Sequence, residues 1–103
     1  MKAVWQEPAK VGRRQVAAYI RREFGTKRAK IFRQQVDETI KMLICNPYIG
    51  KVDPLFDGYS ATYRSVVING LNKMVYRVEG DIVYIVDFWD TRREPRNQAV
   101  QTQ

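Results

Sequence analysis

An α+β domain is what this 103-residue chain predicts, and three features predict it. A meander of three strand-like segments fills Tyr63 to Pro95. Two amphipathic helical stretches precede it, and glycine-bearing turns sit at the joins. The expected order is β-α-α-β-β-β, a mostly antiparallel four-stranded sheet with a helical hairpin packed on one face. Residues 1–95 are expected to form one domain, and 96–103 a polar, flexible tail.

Met1 to Gln6 contains Val4 and Trp5 and reads as a short strand whose pairing partner the sequence leaves open. Pro8 fits the first turn of a helix, where its missing N–H costs nothing. Val16, Ile20 and Phe24 then recur every four residues beside Ala9 and Ala17, which predicts one buried stripe. Gly25 is placed to end this helix with positive φ. Thr26 is the expected cap of the next. In that second helix Ala29, Phe32, Val36, Ile40 and Leu43 follow at spacings of three and four. Its end falls near Asn46, because Pro47 disfavours helical backbone in the residue before it.

Tyr48 to Tyr59 carries Gly50, Pro54 and Gly58 and reads as a loop returning to the sheet. The meander is rich in Val, Ile, Tyr, Phe and Trp, which suit a pleated, half-buried surface. Asn69-Gly70 and Gly80-Asp81 supply its turns. Alternation in the second meander strand sends Met74, Tyr76 and Val78 to the helices and Lys73, Val75 and Arg77 to solvent. In the third, Ile82, Tyr84, Val86 and Phe88 oppose Val83, Ile85, Asp87 and Trp89. Pairing around Asn69-Gly70 is expected to place Arg64, Lys73 and Arg77 together on the solvent face.

Net charge is +7, and residues 1–46 hold the whole excess, with eleven Lys/Arg against four acids; residues 47–103 balance at seven of each. Such a surplus suits nucleic acid, an anionic surface or an acidic protein. No apolar run is long enough for a membrane span, so no membrane partner is expected. One cysteine, Cys45, builds no disulfide framework and fits a reducing cytoplasm; it reads as a buried thiol at a helix end. There is no histidine, which removes the commonest metal ligand and the commonest general base. No nucleotide-binding glycine loop or zinc cluster is present, so neither metal nor cofactor is expected. Trp5, Tyr76, Tyr84, Phe88 and Trp89 read as packing residues. Asp90 reads as an intramolecular partner for Arg92 or Arg93.

Several segments together resemble the plasmid-stabilisation toxins of the RelE/ParE superfamily. They are YIRREFG at Tyr19–Gly25, NPYIG at Asn46–Gly50, YR at Tyr63-Arg64, KMVYRV at Lys73–Val78 and FWDTRREP at Phe88–Pro95. The resemblance spans nearly the whole chain, and its force lies in the order of the segments. It implies the toxin component of a type II toxin–antitoxin module in the bacterial cytoplasm, held inactive by a cognate antitoxin with an acidic and apolar segment. Arg13, Arg14, Arg21, Arg22, Arg77 and Arg93 are then candidates for binding antitoxin or target.

Two activities occur among chains that this one resembles. ParE-like members poison DNA gyrase without cutting nucleic acid; RelE-like members cleave messenger RNA on the ribosome. For cleavage, Arg64, Lys73 and Arg92 stand at matching places and would stabilise a pentavalent phosphorane-like transition state. Yet Val66 stands where a second basic residue is expected, and no tyrosine or histidine follows Arg93. The reading favoured is the gyrase poison, with the ribosome-dependent ribonuclease as the alternative.

Overall fold

The computed structural model describes residues 1–56 and 58–91. The expected tail and the expected partnership of Asp90 with Arg92 or Arg93 lie outside these residues. The elements are β1 (Lys2–Trp5), α1 (Glu7–Phe24), α2 (Thr26–Cys45), β2 (Lys51–Val52), a 3-10 turn at Pro54–Phe56, β3 (Arg64–Ile68), β4 (Asn72–Glu79) and β5 (Ile82–Asp90). The sheet has five strands in the order β1-β5-β4-β3-β2. The predicted order of helices and meander is therefore correct, and the sheet gains β2. It is also mixed: β1 runs parallel to β5, with Lys2 across from Ile82 and Trp5 across from Ile85. The helical crossover between β1 and the sheet allows that parallel pairing.

Both predicted turns form. Asn69 (φ 47°) and Gly70 (φ 75°) both take left-handed backbone, as does Gly80 (φ 59°) in the next turn. The first turn is one residue longer than Asn69-Gly70 alone implies, because Ile68 lies across from Asn72 rather than Leu71. Period-two geometry makes that extra residue decisive, since a one-residue slip sends a strand's side chains to the opposite face. Arg64 consequently lies across from Tyr76, on the helix side. It does not share a face with Lys73 and Arg77.

A second shift lies in β5. Val75 pairs with Asp87 and Tyr76 with Ile85, leaving Val86 as a bulge. The alternation expected for this strand holds only up to that point. Val83, Ile85 and Phe88 join the helix-side core with Phe32, Val36, Leu43, Met74 and Tyr76. Val86 and Trp89 pack on the other side with Val75 and Phe56. Each fully buried side chain of this size contributes about 2 kcal/mol of hydrophobic stabilisation.

The helices meet the sheet closely. Gly12 lies so near β5 that a Cβ there would fall 1.9 Å from the Phe88 carbonyl oxygen. Here α1 needs a residue without a side chain. In α2, Ala29, Phe32, Val36 and Leu43 are buried as predicted. In α1, Ala9 and Gly12 are the buried residues, and Phe24 departs from expectation at 60% exposed. Gly25 (φ 94°) ends α1 and also begins α2, with no side-chain cap; Thr26 is already helical rather than capping. Asn46 closes α2 ahead of Pro47 as predicted, its N–H donating to the Met42 carbonyl. Among the described residues no helix is long and apolar enough to cross a membrane.

The solvent face expected on β4 is covered instead. Phe56, Tyr59 and Tyr63 form a triangle of rings with centroids 5.0–5.9 Å apart. This cluster, delivered by the segment between β2 and β3, packs over Val75, Val86 and Trp89. The sheet therefore has a core on each side.

Candidate functional site

Basic residues on the sheet were the first candidates for chemistry, and the fold separates them. Lys73 Nζ lies 2.7 Å from the Asp53 carboxylate, whose side chain is fully buried while that of Lys73 is 19% exposed. The other carboxylate oxygen of Asp53 accepts from the Leu55 N–H, and the lysine also sits over the Trp89 ring. Asp53 thus pins the 3-10 turn to β4 and occupies Lys73. Charge removed from water this far is held by its partner. Arg77, on the same face of β4, pairs with Glu79 at 3.2 Å.

Arg64 is held differently. Its Nη1 donates to the Gly50 carbonyl at 2.9 Å and more weakly to that of Tyr48 at 3.4 Å. Its guanidinium also stacks over the Tyr48 ring. Just beneath, the Tyr76 hydroxyl accepts from the Gly50 N–H at 2.9 Å. Burial raises the Tyr76 pKa, and the Gly50 hydrogen bond and the Arg64 charge only partly offset it. Arg77 stacks over Tyr84 at 4.5 Å. Although Arg64 and Arg77 belong to opposite faces, both line one polar groove of about 680 Å³ at the sheet margin, walled by Tyr48, Tyr63 and Glu79.

A second groove, of about 320 Å³, opens where the helical hairpin turns. Val16, Tyr19, Ile20, Phe24, Ile31 and Leu71 supply its apolar lining, with Arg28 and Asp90 among its polar residues. Phe24, Ile31 and Leu71 are exposed. Arg21 and Arg22 lie in the last turn of α1, the latter over the Tyr19 ring. Arg13 and Arg14 lie farther along α1, where Arg13 stacks on Trp5 at 4.4 Å and Arg14 faces Glu7 at 3.6 Å. The predicted binding arginines are thus distributed over two regions. Arg92 and Arg93 lie outside the described residues.

Arg28, Ile31 and Leu71 were missed as groove residues, and Tyr48 as a wall. One signal existed for Ile31, an apolar residue off the buried stripe of α2. Cys45, expected to be buried, is exposed; it is the last residue of α2, two positions beyond the buried Leu43. Among the described residues no three His, Cys, Asp or Glu side chains gather as a metal would require.

With this geometry in place, the chain can be set beside known proteins. A comparison with curated proteins finds no match by sequence. Among solved structures it is similar to a chain of the "Chromosomal ParDE TA system from P. aeruginosa", with a TM-score of 0.68 and 17% identity, covering 87% of this chain and 95% of that one. At that identity the likeness establishes the shared fold. A family model described as "ParE toxin of type II toxin-antitoxin system, parDE" matches residues 3–95, from β1 through the meander. The chain belongs to the ParE toxin family and is the toxin component of a type II toxin–antitoxin system.

Proposed function

We propose that this toxin arrests growth in the bacterial cytoplasm by poisoning DNA gyrase without cutting nucleic acid. One observation carries the choice over RNA cleavage. Arg64 and Lys73, two of the three cations a RelE-like mechanism would need, belong to opposite faces of the sheet, and Lys73 is committed to buried Asp53. Phosphoryl chemistry needs cations converging on one phosphate, in place before the reaction begins. A protein that acts by binding needs only a complementary surface.

The hairpin groove is the site assigned to the antitoxin. Its apolar lining accepts one face of an amphipathic segment. Arg21, Arg22 and Arg28 beside it, with Arg13 and Arg14 farther along α1, then steer and pair with acidic residues on that segment. Arg77 remains available for the target.

Purified toxin added to gyrase and relaxed plasmid should inhibit supercoiling and accumulate cleaved DNA. Antitoxin added first should prevent both. Unimpaired supercoiling at stoichiometric toxin, together with cuts in ribosome-bound messenger, would overturn the reading in favour of the ribonuclease.

A further inference from the structure

At the end of the molecule away from the hairpin turn, the polar groove between Arg64 and Arg77 takes no part in the antitoxin assignment above. Its two guanidiniums are held in place before any partner arrives. Arg64 is bonded through Nη1 to the Gly50 carbonyl and stacked on Tyr48. Arg77 is stacked on Tyr84 and bonded through Nε to Glu79. Arginine fixed in this way loses little further freedom when its fork meets a carboxylate.

The surroundings indicate what kind of partner fits. Tyr48 is 65% exposed, and its neighbours Ile49 and Val52 are exposed as well. Val52 lies directly across the strand pair from Arg64. Tyrosine and arginine are enriched in protein-binding hot spots, and the exposed aliphatics beside them add apolar area to be covered. Nucleic acid fits less well. A phosphate backbone calls for a track of cations, whereas this groove offers two and sets Glu79 in its wall.

We infer that the Tyr48–Arg64–Arg77 groove is the toxin's target-docking surface and takes an acidic protein segment, two carboxylates meeting the two guanidiniums while Tyr48, Ile49 and Val52 cover an apolar patch. The inference rests on the gyrase reading and supplies its contact surface. It also separates the two partners in space, with antitoxin on the hairpin groove and target on the sheet margin.

The test immobilises the toxin and titrates gyrase holoenzyme, cognate antitoxin and an RNA octamer in parallel. Three variants are used, Tyr48→Ala, Arg77→Glu and Glu79→Gln, each with its melting temperature recorded. The first two should weaken gyrase binding about tenfold or more, with antitoxin affinity and melting as in the parent. Glu79→Gln removes the competing carboxylate and should tighten gyrase binding severalfold, which a merely structural role would not produce. If the parent binds gyrase and Tyr48→Ala and Arg77→Glu bind it equally well, the docking surface is wrong and the gyrase reading stands. If the parent does not bind gyrase, both fall. RNA binding by the parent that these two variants abolish would make the groove a nucleic-acid site and overturn the proposal.

Discussion

The two faces of the sheet are both buried, by different means. One is closed by regular structure, with α1 and α2 presenting Ala9, Phe32, Val36 and Leu43 to Met74, Ile85 and Phe88. The other is closed by an irregular segment, whose aromatic triangle and Asp53–Lys73 pair hold it on Val75, Val86 and Trp89. The first closure relies on periodicity and close approach. The second relies on a few specific contacts across a loop, so a single substitution there removes a larger share of what holds it.

The largest effect is expected at Gly12, where any side chain meets the Phe88 carbonyl. Gly12→Val should cost about 3 kcal/mol in denaturant unfolding, since α1 must lift from β5. Next comes the loop-side pair. Asp53→Ala leaves Lys73 without its partner and should cost about 2 kcal/mol. Asp53→Leu combined with Lys73→Leu should recover most of that loss. A loss at Asp53 as large as at Gly12 would break the comparison, making the loop as essential as the helices.

A smaller effect sharpens it at the margin where the two closures meet. Tyr76→Phe leaves the buried Gly50 N–H unpaired and should cost about 1–2 kcal/mol. The same variant tests the raised pKa of Tyr76. A phenol whose folded pKa exceeds its unfolded value stabilises the protein fully below the unfolded pKa, and that contribution is lost as pH rises through the folded one. Parent stability should therefore fall more steeply than that of Tyr76→Phe as pH rises above about 10. The smallest effect is expected at Phe24. Exposed as it is, Phe24→Ala should change stability by no more than about 0.5 kcal/mol while weakening antitoxin binding, measured by titration calorimetry.

The helix-side closure was largely legible in the sequence, because periods of 3.6 and 2.0 mark which residues face inward. Ala29, Phe32, Val36 and Leu43 were read off spacing alone. The loop-side closure was not. Leu55, Phe56 and Tyr59 follow no repeat, so nothing distinguished a packed segment from a connecting loop. Single-residue events did the rest. Leu71 in the first turn and Val86 in β5 each shift the phase by one, and one step moves Arg64 or Phe88 to the other face. Of the candidate site, the charged residues were recognised by type, whereas their partners depended on those shifts. Parallel pairing of β1 with β5 joins residues about eighty positions apart, which no local pattern can signal.

That parallel pairing bears on when the toxin comes into being. β5 is the last strand among the described residues, yet both β1 and β4 pair with it and α1 rests on it through Gly12. Until residues 82–90 leave the ribosome, α1 lacks the strand it packs on most closely and the first strand has no neighbour. Long-range pairing of this kind folds slowly, because loop closure precedes the contacts that reward it. A chain that lacks β5 therefore cannot complete the sheet, because β1 and β4 have no strand between them.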